Sequence, residues 1–190
     1  MDRFGDIRGS ALELFTSKGY EATTMTDIGA AAGMRGPSLY KHVASKQDIL
    51  AKIMTATMEQ LLAAHHTAVA GTTGPAERLR RATEAHVRYH ARHRLEAFVG
   101  NREIRSLREP HRGQVLELRA DYETCFRVLV QAGVDAGIFT VASVRLASYA
   151  ILDLGMGVAA WYRDNGEHSE DAVVWQYSDF ALRLVGVHTP

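Results

Sequence analysis

The first chemistry legible in this sequence is a group of hydrogen-bond donors with no acid among them. Arg35, Ser38, Tyr40, Lys41, His42 and Lys46 lie close together, with Thr24 and Thr26 just before them. Between Ile28 and Gln47 there is no Asp or Glu. A surface that faces phosphates needs such a window, because each carboxylate would repel the nucleic-acid backbone. Arg pairs bidentately with guanine in the major groove, and glycine lets a backbone come close to a base edge. Arg35, Gly36, Ser38 and Lys41 are therefore read as base-facing, with Pro37 held among them.

These side chains need elements to position them. The stretch from Thr23 to Lys46 reads TTMTDIGAAAGMRGPSLYKHVASK. It predicts a short helix over about Met25–Ala32, with Ile28, Ala31 and Ala32 facing inward. Thr24 followed by Asp27 is a capping box for its start. Gly33 stands where the chain reverses, since glycine reaches positive φ without a Cβ clash. A second helix over about Gly36–His42 opens on Pro37, which suits a first turn, and turns Leu39 inward. Two helices this short need a third beneath them. Phe4, Ile7, Ala11, Leu14 and Phe15 recur at helical spacing over Arg3–Lys18 and supply it. The layout is a helix-turn-helix reading head.

The segment TTMTDIGAAAGMRGPSLYKHVASKQDIL resembles the helix-turn-helix of the TetR family of bacterial transcription regulators. The Thr-Thr entry, Ile28, the Ala-Ala-Gly turn, Leu39-Tyr40, His42 and Ser45-Lys46 carry the likeness. Val43 departs from it, standing where the family usually has Phe. Arg35-Gly36-Pro37 falls where family members vary, so it leaves the operator open. The resemblance makes Thr24, Thr26, Tyr40, His42 and Lys46 phosphate grips. It further implies a homodimer formed through a bundle of the last two helices. It also implies an effector pocket among the fourth to eighth helices.

The 190 residues are 46% hydrophobic and 23% charged, ordinary for a soluble globular protein. No apolar run approaches the roughly 20 residues of a membrane span, and the N-terminus has no apolar signal core, so a cytoplasmic protein without a membrane partner is expected. The lone Cys125 excludes an internal disulfide and fits a reducing compartment. Net charge is zero, which counts against a uniformly basic nucleic-acid binder. The charge is segregated instead: Arg78–Arg119 holds eleven Arg against five Glu, and the chain beyond Tyr149 is acidic.

Helical periodicity continues to the end, with breaks at Gly71–Pro75, Pro110, Gly137–Thr140 and Asp164–Gly166. The chain thus reads as all-α, about nine helices. Residues 1–45 form the helix-turn-helix domain, with its motif at 24–43. Residues 46–190 form a larger ligand-binding and dimerisation domain, and helix 46–69 links the two. In that domain Tyr89, Tyr122 and Trp161 are candidates to wall an apolar effector cavity. Arg102 and Arg105 share a face suited to an anionic group. WYRDNG followed by a Ser-capped helix is similar to TetR regulators of lipid or steroid acyl-CoA breakdown, which implies an acyl-CoA-like or other lipophilic effector. His86, His90 and His93 line one helix face, and a metal-responsive regulator is the alternative. They lack an assigned fourth ligand, so no metal or cofactor is expected. No Gly-rich phosphate loop, nucleophile elbow or H-E-x-x-H is present. Cys125 sits in a packing pattern, so an enzyme is not expected, a helical-bundle enzyme being the residual alternative. The expected function is a ligand-responsive repressor of double-stranded operator DNA.

Overall fold

The computed structural model describes residues 3–187. Among them lie nine α-helices and no strand. They are α1 (Arg3–Ser17), α2 (Met25–Ala31), α3 (Gly36–Leu39), α4 (Lys46–Val69), α5 (Pro75–Arg92), α6 (Arg94–Glu103), α7 (His111–Asp135), α8 (Val144–Trp161) and α9 (Glu170–Leu184). A short 3-10 turn, Ile104–Ser106, follows α6. The helices gather into two compact bodies. One is the N-terminal stretch through Met58 together with Leu95–Glu117; the other is Glu59–Arg94 with the chain from Leu118 onward. Packing therefore groups the 95–117 segment with the N-terminal helices, whereas the motif alone suggests a cut after residue 45.

In the first body Ile7, Ala11, Leu12 and Phe15 of α1 meet Ile28, Leu39 and Val43 of the head, Ile49, Leu50 and Ile53 of α4, and Val99, Leu107 and Val115 of the later segment. Each large aliphatic or aromatic side chain so buried contributes about 1.5–3 kcal/mol. That burial, rather than helix propensity, holds α2 and α3, which at seven and four residues are too short to persist alone. Two details differ from the sequence expectation. The inward face of α2 is Ile28 with Gly29, while Ala31 is exposed and Ala32 half-buried. A Cβ on Gly29 would stand 3.2 Å from the Met34 carbonyl and 3.4 Å from Leu39, so this glycine is where the second helix crosses the first. Helix α3 ends at Leu39, three residues early. The Lys41 and His42 amides bond Ser38 and Leu39 carbonyls three residues back, tightening 40–42 into turns.

In the second body α5 packs against α8 and α9. Val87 and Ala91 of α5, Val158 and Tyr162 around the end of α8, and Val173 and Val174 of α9 form a core. Arg88 and Arg92 of α5 bind Glu170 at the start of α9, and Arg88 also binds Asp171. Gly155 is the close approach: a Cβ there would lie 2.1 Å from the His86 ring. Val174, Ser178, Ala181 and Leu182 join Val173 inside, and Phe180 points out at 43% exposure. By length and composition alone, the 18-residue α8 could cross a membrane. It carries Arg145 and Asp153, however, and a third of it is buried against its own body.

Candidate functional site

The capping box of α2 is present in full. Thr24 Oγ1 accepts from the Asp27 N–H at 3.1 Å, and the Thr24 N–H donates to the Asp27 carboxylate at 2.8 Å. The Thr24 hydroxyl also donates to that carboxylate at 2.8 Å. Lys18 Nζ reaches the same oxygen at 2.9 Å. This ammonium and the Thr24 donors hold the Asp27 carboxyl down at about 2. The acid at the N-terminal edge of the window is thereby neutralised by Lys18. Gly33, at φ +65°, makes the turn after α2.

Beyond that turn the donors stand free. Arg35 is the residue before α3 and caps it with no side-chain bond. Gly36 and Pro37 follow, all three exposed, with Ser38 half-buried behind them. Tyr40 is 57% exposed, unusual for an aromatic ring, and Lys41, His42 and Thr26 are exposed too. Among the described residues the side chains of Arg35, Tyr40, Lys41 and His42 have no hydrogen bond or ion pair within the chain. They form one short ridge of unpaired donors on the N-terminal body. Apolar burial of Leu39 and Val43, at 1% and 2% exposure, anchors it from beneath.

Lys46 does not belong to that ridge. Its ammonium donates to the carbonyls of Tyr20 at 2.7 Å, Thr23 at 2.8 Å and Glu21 at 3.3 Å, and lies 4.3 Å from the Tyr20 ring centroid. All three N–H donors of an ammonium are thereby used. Its role is to close the loop that leads into α2, not to grip a phosphate. Thr24 is similar: its hydroxyl is spent on the cap.

The expected effector residues belong to different bodies. Arg102 and Arg105 lie exposed in the N-terminal body, Arg102 over the Phe98 ring at 4.7 Å. Tyr89 and Tyr122 are buried in the other body, where the Tyr89 hydroxyl donates to Gln60 at 3.2 Å. Trp161, 43% exposed, opens a pocket of about 590 Å³ at the end of α8, shared with Arg163, His168, Val173, Gln176 and Tyr177.

The three-histidine face serves the core. His86 Nε2 lies 3.0 Å from the Leu152 carbonyl, which only accepts, so Nε2 carries the proton. Nδ1, 2.9 Å from the Tyr122 hydroxyl, is then the acceptor. His90 Nδ1 donates to the His86 carbonyl at 2.9 Å, and the His93 ring stacks on Tyr89 at 4.3 Å. Burial holds His86 well below the ordinary histidine range and His90 at about 4. Among the described residues no three His, Cys, Asp or Glu are placed to hold a metal ion. The i, i+4, i+7 spacing is read correctly as one face, but that face points inward. His65, missed in the sequence, joins this core, edge-on to Tyr122 at 6.2 Å. Burial, then His66 and Arg78, lowers it to about 4. Cys125 is half-buried and its thiol pushed up by burial, which does not suit a nucleophile.

Comparison with known proteins divides the chain in sequence order. Residues 7–53 match the family described as bacterial regulatory proteins, tetR family. Residues 72–185 match the tetracyclin repressor-like C-terminal domain. The HTH-type transcriptional repressor KstR2 of Rhodococcus jostii (strain RHA1) is 30% identical over 175 residues, covering 90% of this chain and 85% of that protein. A bacterial regulatory protein in the tetR family from Rhodococcus RHA1 superposes with a TM-score of 0.92 at 31% identity, over 100% of both chains. The ketosteroid transcriptional regulator KstR2 of Mycobacterium tuberculosis gives 0.90 at 25% identity, over 98% of this chain and 96% of that one.

Proposed function

Because the chain belongs to the tetR family of bacterial regulatory proteins, we propose that it is an effector-controlled repressor whose α3 ridge grips operator DNA. It is a transcription regulator and not an enzyme. The observation that carries the proposal is the set of exposed, unpaired donors at Arg35, Tyr40, Lys41 and His42. Arg35 at the N-terminus of α3 suits a base edge, and Tyr40, Lys41, His42 and Thr26 suit the flanking phosphates. Thr24 supports the interface through the cap it makes, and Lys46 through the loop it closes.

A second copy of the chain completes the reader. Leu146 on α8 is 67% exposed and Trp175 and Phe180 on α9 are 59% and 43% exposed, alongside the exposed small residues Gly157 and Ala160. Burying this face against its own symmetry mate yields a two-fold dimer, and two heads then meet two half-sites. The effector is a small lipophilic or acyl-CoA-like molecule. The aromatic pocket at Trp161 and Tyr177, with Arg163 and His168 at its edge, suits an apolar body carrying an anionic group. The likeness to the ketosteroid transcriptional regulator KstR2 supports the lipophilic part of this reading. Ligand release of DNA then follows from a difference in effector affinity between the DNA-competent and incompetent states.

The test is a gel-shift titration with a duplex enriched by the wild-type chain from a random pool. Arg35→Ala and Tyr40→Ala should each weaken binding with the oligomeric state intact, and unchanged binding in both would sink the assignment. For the effector, melting of the full chain against acyl-CoAs and non-CoA lipophiles should rise with ligand concentration. Stabilisation by the non-CoA compounds alone would remove the acyl-CoA class.

A further inference from the structure

Helix α4 opens on Lys46 and Gln47, and both side chains leave their own helix. The Gln47 amide takes three partners. Its Nε2 donates to the Tyr20 hydroxyl and to the Ser106 carbonyl, both at 2.7 Å. Its Oε1 accepts from the Arg108 backbone N–H at 3.0 Å. Both amide hydrogens and the carbonyl are thus in use. Tyr20 is 3% exposed, its ring lying beneath the Lys46 ammonium and edge-on to Phe15 at 5.1 Å. Ser106 and Arg108 belong to the connector between α6 and α7. Buried Leu107 fixes that connector in the N-terminal core, and Arg8 of α1 pairs with Glu96 of α6 at 2.9 Å. One amide therefore joins the loop that launches α2 to backbone 59 residues beyond Gln47 itself.

We infer that Gln47 is a positioning residue for operator recognition, keeping the 20–24 loop in register with the 104–108 connector. The inference rests on the DNA-binding reading above. Helices α2 and α3 are too short to set their own direction, so their anchored ends decide where Arg35 and Lys41 point. The 20–24 loop has two clamps, Lys46 on its carbonyls and Gln47 on Tyr20, and only the second reaches the connector. A displacement of residues 106–108 must either break two hydrogen bonds to Gln47 or carry Tyr20 with it. Leu at this position offers neither donor nor acceptor. Glu keeps the acceptor for Arg108 but cannot donate to the Ser106 carbonyl.

The experiment uses the full chain and the duplex it enriches, at a temperature where circular dichroism shows every variant fully helical. Gln47→Leu should weaken binding about tenfold, the loss expected when a preorganised reading surface is released, and Gln47→Glu should fall between. Hydrogen exchange on the free protein should speed up at 20–24 and 104–108 together, with the α1 core unchanged. A purely structural Gln47 would lower the melting temperature but leave affinity untouched in the folded protein. Affinity within twofold of wild type, or exchange that rises at 104–108 alone, overturns the inference. If Gln47→Leu does not fold, Tyr20→Phe removes only the hydroxyl and gives the same readings. If the wild-type chain enriches no duplex, the DNA-binding reading fails instead. Coupled or uncoupled exchange then decides whether the latch itself exists.

Discussion

Lowering the pH from 7 to 5 should destabilise the protein, and the buried histidines set the size of the loss. His90 stays neutral at about 4 when folded, because burial disfavours its charged form and outweighs its bond to the His86 carbonyl. Unfolded, a histidine titrates near 6.5. Its folded value is depressed, so the unfolded chain binds the proton first. Stability is then complete above about pH 6.5 and declines as pH falls toward 4. For one group with these two values, linkage gives a loss of about 2 kcal/mol between pH 7 and 5. His65 is held at about 4 and His86 well below the ordinary histidine range, each acting in the same direction. Coupling among the three keeps the sum below simple addition, so about 2–5 kcal/mol is expected overall. Asp27, held at about 2, contributes its loss only at lower pH. Urea unfolding at a fixed chain concentration, followed by circular dichroism at pH 7, 6 and 5, measures the slope. His90→Gln should cost stability at pH 7 yet flatten that slope by about 2 kcal/mol. A wild-type change below about 0.5 kcal/mol over this range would refute the neutral buried cluster.

Three other outcomes follow from the geometry. Gly155→Ala places a methyl where the His86 ring already lies, so it should lower stability by about 1–3 kcal/mol in thermal unfolding, as overpacking does. Lys41→Ala and Lys46→Ala, equal in charge lost, should separate. The first should reduce the salt slope of operator binding by about 0.9 per lost phosphate contact. The second strips a charged donor from three carbonyls and should cost the N-terminal body about 1.5–3 kcal/mol. Thr24→Ala should cost about 1 kcal/mol through the lost cap, read as faster exchange at 25–28.

What the sequence disclosed was local. Thr24 and Asp27 sit three residues apart, and their bonds are the ones that spacing requires. Ser169 likewise caps α9 as read, accepting from the Ala172 N–H. Periodicity placed the nine helices to within a few residues, because each helix has a repeating inward face. The failures are at long range. Lys46 looked like one more cation in an acid-free window, since nothing in its neighbourhood announces that the carbonyls of 20–23 converge on it. Gln47 carried no signal at all, its partners being backbone groups at 106 and 108. Nothing in the sequence around Gly155 announces that the space beside it is taken by His86 of the same chain. On α9, both Val173 and Phe180 fitted a helical stripe, but contact with α5 selected the face containing Val174 and Leu182.

The zero net charge, which first stood against DNA binding, is answered by pairing more than by segregation. Four of the eleven Arg in the 78–119 stretch are paired where they stand: Arg88 with Glu170 and Asp171, Arg92 with Glu170, and Arg80 and Arg81 with Glu77. Arg127 and Arg183 meet Glu123 and Asp179 one helical turn away. Lys18 cancels Asp27 at the edge of the head, and Lys52 meets Asp48 at 3.2 Å. On the ridge, Arg35 and Lys41 have no acid to meet. A phosphate responds to the local field within about 8–10 Å at ordinary salt, not to the sum over the chain. The unpaired cations of α3 and its following turn therefore keep a positive face on a neutral protein. The same reasoning weakens the Arg-rich middle as an anion site at Arg80, Arg81, Arg88 and Arg92 of α5, which already meet carboxylates. At the Trp161 pocket, which Glu167 also lines, the Arg163 guanidinium meets the carbonyls of Ala160 and Tyr162 and, among the described residues, no carboxylate.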